Sequence, residues 1–281
     1  MTVPTASIVI PTEGRPDYLR ATLASVVPQA RRAGAEVLVV GHAQDSATAA
    51  VAEQFEARLV PAPSPGTLNA SRNAGAKAAR GELIVLIDDD VRAPLMWLQT
   101  LLAGVAAAPD HDVFGGPIRA RLEGGGPRAC GREPAPITTL DLGPDDRDAA
   151  LVWGANMAIR RRALERVGGF DEAMHGRGDE EDWERRYTAG GGRIRYLARA
   201  GLDHWRSAPD ATVRSLSRAA YGHGRAGRRY DVRKGRAPSL GGELLTLAGC
   251  VWHTLRRRCA VGLVLTAQAA GRLRESLVGP R

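Results

Sequence analysis

The sequence predicts an α/β fold with a central, mostly parallel sheet flanked by helices. Two observations carry that expectation. Short apolar, β-branched runs recur through the first half of the chain, and segments of helical period separate them. Runs that are apolar at every position suit strands buried on both faces, as in parallel sheets. Strands that alternate with helices build crossover units with ligands at the carboxyl ends of the strands.

The elements follow in order. Residues 7–11 form an apolar run ending at Pro11, the first strand. Over 16–33, Leu19, Leu23, Val26 and Val27 recur at helical spacing behind Pro16, a residue suited to a first helical turn. Residues 35–41 are a second strand, followed by a helix through Val51 and Phe55, and 58–61 a short third strand. A helix over about 67–79 leads into residues 82–88, the strongest strand signal in the chain. Residues 94–108 read as a helix. The Gly-, Pro-, Arg- and Asp-rich stretch 115–148 reads as a long mobile loop. Order returns over 151–159, then helices from about 161 and over 179–189, a strand over 193–197, and an Arg-rich helical segment beyond His204.

Composition narrows the class. The chain has 281 residues, 44% hydrophobic and 25% charged, which excludes a disordered protein and leaves ample chain for a core. The net charge of +8 is unevenly placed. Residues 206–281 hold 15 basic and 4 acidic side chains, a net of +11, while the preceding part holds 24 and 27, a net of −3. All the basic residues but Lys77 and Lys234 are Arg, a bias that accompanies a GC-rich composition. Cys130, Cys250 and Cys259 are too few and too scattered for a disulfide framework, and no Cys/His spacing points to zinc. Residues 1–7 lack the basic run and apolar stretch of a signal peptide, so a cytoplasmic location is expected. The apolar stretches 244–255 and 260–269 are divided by Arg256, Arg257 and Arg258, and neither reaches the ~20 residues of a membrane span. A helical hairpin, a homodimer contact or peripheral docking on acidic lipid are the readings of 206–281.

Asp88, Asp89 and Asp90 close the best strand, where such a sheet offers its ligand crevice. Three adjacent carboxylates call for a compensating cation. In an extended segment Asp88 and Asp90 share a face, and two carboxylates leave most of a Mg²⁺ or Mn²⁺ shell open for water and a diphosphate. Asp179, Glu180, Glu181 and Asp182 open a helix, Glu184 shares the face of Glu180, and a carboxylate here can serve as general base. Arg72 suits a diphosphate, the Asp triplet or a structural ion pair. His204 gains meaning as a third ligand beside the Asp pair.

Together these motifs resemble the family 2 glycosyltransferases, nucleotide-sugar enzymes on a Rossmann-like GT-A fold. Residues 7–12, 69–75, 79–82, 86–90, 153–157, 160–162 and 167–172 match that family in order, and the acidic helix and His204 complete the series. The resemblance implies a catalytic domain over 1–205, with a nucleotide-sugar half to about 112 and an acceptor half from about 113, followed by a basic helical segment over 206–281. It implies a divalent cation, Mn²⁺ or Mg²⁺, on Asp88, Asp90 and His204, and a UDP-linked donor against Pro11, Thr12, Glu13, Arg15, Arg72, Asp88 and Asp89. Trp153, Gly154 and Asn156 fall on its acceptor side. Glu180 takes the base position, with Asp179, Glu181 and Asp182 in rival registers. Inverting transfer of a hexosyl or N-acetylhexosaminyl group to a small-molecule or glycan acceptor follows, in antibiotic or polysaccharide biosynthesis. Two positions depart from the family: residues 39–42 lack its base-reading Asp, and 12–15 replace its usual Thr-x-Asn-Arg.

Two rivals are weaker. A sugar nucleotidylyltransferase needs a Gly-rich loop after the first strand, and residues 11–14 make a poor one. A nucleic-acid-binding protein is favoured by charge alone, with no helix-turn-helix, RNP-like or zinc motif, so nucleic acid is not expected as a partner.

Overall fold

The computed structural model describes residues 3–42, 44–174, 176 and 178–278. The elements run β1 (Ser7–Pro11), α1 (Pro16–Ala33), β2 (Glu36–Gly41), α2 (Ser46–Gln54), β3 (Arg58–Pro61), α3 (Leu68–Ala78), β4 (Leu83–Ile87), β5 (Val91–Arg92) and α4 (Trp97–Ala107). There follow β6 (Val113–Gly115), β7 (Ile118–Leu122), β8 (Arg147–Ala149), β9 (Asn156–Arg160), α5 (Arg161–Val167), α6 (Asp179–Ala189), β10 (Ile194–Tyr196) and β11 (Leu202–Arg206). Three helices complete the chain: α7 (Val213–Arg233), α8 (Leu240–Arg257) and α9 (Ala260–Val278). The chain divides into two compact units: residues 1–119, 139–174 and 179–204, and residues 120–138, 175–178 and 205–281.

The first unit is a layered α/β structure. Its eight-stranded sheet has the order β3-β2-β1-β4-β9-β6-β10-β8. The pairs β2–β3, β1–β2, β1–β4 and β6–β10 are parallel; β9 runs antiparallel to both β4 and β6, and β8 to β10. The buried strands divide their side chains between two cores. Ile8, Ile10, Val37, Val39, Leu83, Val85 and Ile87 enter one, with Leu19, Leu23, Val26 and Trp97 from the helices over that face. Val9, Val40, Ile84, Leu86, Met157 and Ile159 enter the other, with Trp183 and Tyr187 of α6. This alternation along fully apolar strands is the period of two that a two-faced sheet requires.

Local chemistry sets the helix ends. Pro16 opens α1, and Gly34 closes it in the left-handed region at φ 65°. Thr67 caps α3 by accepting from the Ala70 amide, and Gly75 lets that helix lie against β1, where a Cβ would sit 2.2 Å from Val9 Cγ1.

The stretch 115–148 is not the single loop expected. Ile118 and Leu140 exchange backbone hydrogen bonds of 2.8 and 3.0 Å, and β7 and β8 lie at its two ends. Alternating polar and apolar residues in β7, and the scattered apolar residues Ile137, Leu140 and Leu142 among turn formers, gave too short a pattern to announce this pairing. A second sheet has the order β5-β11-β7.

In the second unit α7 and α9 meet closely. A Cβ at Gly224 would lie 2.0 Å from the Gln268 carbonyl oxygen, and one at Gly271 2.1 Å from that of Tyr221. Leu216, Ala220 and Val264 form its buried apolar cluster, with Leu122 and Ile137 against it. Arg272 bridges Asp231 and the buried Glu243 at 2.8 Å each, an ion network that ties the three helices. Among the described residues no helix is long and apolar enough to cross a membrane.

Candidate active site

The acidic triplet follows the last residue of β4 as a turn, not as extended chain; Asp89 and Asp90 occupy the turn itself. The expected convergence survives the change of backbone. Asp88 and Asp90 offer ligand oxygens within 4.8 Å of each other and of a His204 ring nitrogen. His204 arrives on β11, antiparallel to β5 with His204 opposite Val91, and its Nε2 lies 3.0 Å from Asp90 Oδ1. Oxygen donors with one imidazole suit Mn²⁺ or Mg²⁺, so the residues present fit a divalent cation.

Asp89 turns the other way into full burial, where it accepts from the Thr12 hydroxyl at 2.6 Å and pairs with Arg15. Burial pushes its carboxyl up to about 7, against the pull of the Arg15 guanidinium and the Thr12 hydroxyl. Arg15 also reaches Asp90 at 2.8 Å. Beneath the turn the buried Thr22 hydroxyl lies 2.7 Å from the Asp89 carbonyl oxygen and 2.8 Å from that of Val91, and accepts from the Val91 amide at 3.1 Å. Thr22 thereby ties helix α1 to the turn.

The register of β4 with β9 brings the acidic helix to the same place. Ile87 pairs with Asn156, so β9 begins opposite the end of β4 that leads into the Asp88–Asp90 turn, and Gly154 lies in the turn that precedes β9. The Gly154 amide donates to Glu180 Oε1 at 3.2 Å, while Glu180 Oε2 stands 3.9 Å from Arg72 Nη1. Arg72 is buried, near Asn69 Oδ1 at 3.3 Å and over the Phe170 ring at 5.9 Å. Gly154 has no room for a side chain, because a Cβ there would come within 2.3 Å of Arg72 Nη2.

The first four acids of α6 separate by helical position. Glu180 enters the site. Glu181 and Asp182 pair with Arg185 at 2.6 Å and Arg186 at 3.1 Å, each one turn along. The Asp179 side chain lies outside the described residues.

Residues 7–168 match the description of Glycosyl transferase family 2. The chain belongs to that family. A pre-mycofactocin glycosyltransferase of Mycobacterium tuberculosis is 33% identical over 143 residues, which cover 48% of this chain and 30% of that protein. The O-antigen biosynthesis protein RfbC of Myxococcus xanthus is 30% identical over 223 residues, 73% of this chain and 18% of that protein. The chain therefore spans a third or less of the length of these curated relatives. Among solved structures, a mannosyltransferase from Pyrobaculum calidifontis in complex with GDP-Man and Mn²⁺ has a TM-score of 0.58 at 15% identity, covering 100% of this chain and 77% of that one. GalNAc-T7 with UDP, GalNAc and Mn²⁺ has a TM-score of 0.57 at 13% identity, over 92% and 55%. These likenesses establish the GT-A fold.

Within this family 2 member, the remaining expected site residues fall into place unevenly. Pro11 and Thr12 are buried at the end of β1, with Glu13 exposed next to them. Trp153 donates its indole N–H to the Thr139 carbonyl at 3.2 Å. Asn156 is buried in the frame: it accepts from Trp97 Nε1 at 3.1 Å and donates to the carbonyls of Pro117 and Ala200 at 3.2 and 2.8 Å.

Two residues of the site were not singled out for a role from sequence. Thr22 is, with Gln29, a polar position buried on the apolar face of α1, which is the signal that could have found it. Glu184 is fully buried one turn beyond Glu180; its Oε1 accepts from the Val152 amide at 2.8 Å, and among the described residues Oε2 has no hydrogen-bond partner. Burial pushes its carboxyl up to about 9, with the charges of Glu180 and Glu181 acting in the same direction.

Proposed function

We propose that the chain transfers a sugar, with inversion, from a nucleoside-diphosphate donor to a hydroxyl or amine of a small-molecule or glycan acceptor. The observation that supports this reading is the convergence of Asp88, Asp90 and His204 at the end of β4, with the Glu180 carboxylate bonded to the Gly154 amide just ahead of the neighbouring strand β9. A nucleotide sugar is in keeping with the solved relatives, one holding GDP-Man and another UDP, each with Mn²⁺. We assign a UDP-linked donor, as the family resemblance implies, and residues 1–205 as the catalytic domain.

Asp88, Asp90 and His204 would hold a divalent cation, which when bound neutralises charge on the departing diphosphate. Thr12, Arg15 and Thr22 fix the turn that presents those carboxylates, so the site is organised before the donor arrives. Glu180 takes the acceptor's proton as its oxygen or nitrogen attacks the anomeric carbon. The Gly154 amide and Arg72 hold the Glu180 carboxylate in one orientation. One displacement inverts the anomeric centre, and no covalent sugar–protein intermediate forms.

The test is donor hydrolysis and transfer with a panel of nucleotide sugars and Mn²⁺. Asp90→Ala is expected to abolish turnover, and Glu180→Gln to leave only a trace, both with unchanged circular dichroism. Full activity in either variant overturns the assignment.

The surface of α8 bears on where the protein works. Leu245, Trp252 and Leu255 are exposed along it, ahead of Arg256, Arg257 and Arg258. An apolar face with a basic end suits peripheral contact with an acidic membrane surface from a cytoplasmic location. Sedimentation with anionic liposomes supports this reading if it depends on Trp252, and a salt-insensitive dimer in its place points to self-association.

A further inference from the structure

Cys130, Glu133, His253 and Cys259 converge in the second unit, with one ligand atom from each within 4.8 Å of the others. We propose that they form a structural zinc site that staples residues 128–133 onto the turn between α8 and α9.

The donor set is the first argument. Two thiolates, an imidazole and a carboxylate make a four-ligand shell of the kind Zn²⁺ takes in closed, tetrahedral structural sites. Thiolates also select zinc over the hard cations that Asp88, Asp90 and His204 suit. The two sites of this chain therefore differ in chemistry as well as in place.

The separations are the second. Zn–S and Zn–N bonds of about 2.3 and 2.0 Å, at tetrahedral angles, put sulfur and nitrogen about 3.5 Å apart. Cys130 Sγ lies 3.6 Å from His253 Nε2, and His253 Nε2 lies 3.8 Å from Glu133 Oε2. Cys130 Sγ and Glu133 Oε2 are closer, 2.8 Å, because the thiol donates to the carboxylate. That contact opens when zinc displaces the proton. Binding releases both thiol protons to solvent, and the ion exchanges water for sulfur, nitrogen and oxygen with no change of oxidation state.

The third argument is that the ligands stand on a prepared frame. The Glu133 carboxylate accepts from the amides of Cys130 at 2.7 Å and Arg132 at 3.0 Å, which closes a tight loop around the first ligand pair. The Arg128 carbonyl accepts from the first amides of α9, Ala260 at 2.9 Å and Val261 at 3.2 Å. Arg258, in the left-handed conformation at φ 49°, turns the chain so that Cys259 is buried beneath that contact. Of the stretch 120–138, Leu122 and Ile137, both outside 128–133, pack against the apolar cluster of three buried residues. A metal cross-link supplies the anchoring that so small a core does not.

The full chain, purified without a histidine tag under reducing conditions in zinc-containing buffer and then desalted, is to be assayed by plasma mass spectrometry. One equivalent of zinc per chain is expected. Cys130→Ser/Cys259→Ser and His253→Ala should lose it, while Cys250→Ser and Asp90→Ala should retain it. The Asp90→Ala arm separates this site from the catalytic one. Because the double variant can misfold, the wild-type chain is also to be loaded with Co²⁺, where thiolate-to-cobalt charge transfer and intense visible bands report tetrahedral sulfur ligation directly. The proposal is overturned if the wild type holds no stoichiometric zinc, if Co²⁺ gives no thiolate band, if the double variant keeps its metal, or if Cys130 and Cys259 are recovered as a disulfide from alkylated cell extracts.

Discussion

The Arg72 guanidinium stands 3.9 Å from the Glu180 carboxylate and occupies the notch that Gly154 leaves open. Three elements meet in this contact: α3 brings the cation, α6 the acid, and the approach to β9 the glycine. Gly154→Ala would place a methyl group 2.3 Å from Arg72 Nη2, so the guanidinium must move and Glu180 loses its alignment. Misplacing a reacting group by about 1 Å costs on the order of 10²-fold in rate. We expect kcat/KM for transfer to fall by about that factor with little change in melting temperature. Unaltered kinetics would show that Arg72 does not position Glu180.

Thr12 holds Asp89 from outside the acidic turn. Thr12→Val keeps the shape and removes the hydroxyl that donates to the buried Asp89 carboxylate at 2.6 Å. An acceptor buried without its donor costs roughly 1–3 kcal/mol. Urea denaturation should show a loss of that size, and retention of wild-type stability would mean that Arg15 alone holds Asp89.

Asn156 serves three partners at once: the Trp97 indole and the carbonyls of Pro117 and Ala200. Asn156→Ala leaves these buried groups unmatched, a class of change that costs roughly 2–5 kcal/mol. The expected outcome is a lower melting temperature with an unchanged KM for acceptor in the surviving folded fraction. A raised acceptor KM with full stability would instead put Asn156 in contact with substrate.

Much of this architecture was legible because it rests on short-range pattern. The helix predicted over 16–33 is α1, with Pro16 opening it and Gly34 in the left-handed conformation after it, and the helix over 179–189 is α6. The direction of β9 was not legible, since a buried strand shows the same period of two whichever way it runs. The Asp88–Asp90 turn was read as extended, because the sequence carries no glycine or proline there to announce a turn. Its stabilisation comes from residues far off in the chain: Thr12, Arg15 and Thr22, the last 67 residues away from Asp89. The same distance effect hid the cysteine cluster: Cys130 and His253 lie 123 residues apart, and no local spacing connects them.

Glu184 offers a test through pH. Its carboxyl is held at about 9 in the folded chain by burial, against an ordinary value of 4.5. Below pH 4.5 both folded and unfolded chains carry the proton, and the favourable burial of the neutral acid is fully present. Between 4.5 and about 9 the unfolded chain has released the proton while the folded chain keeps it, so stability falls as pH rises. The slope reaches up to about 1.4 kcal/mol per pH unit. Glu184→Gln cannot ionise, and its carboxamide oxygen can still accept from the Val152 amide. The variant should match the wild type at pH 4.5 and exceed it at pH 8, which denaturant titrations at the two pH values will read. Parallel pH dependences for the two proteins would mean that Glu184 is ionised in the fold, with a cation or ordered water answering Oε2.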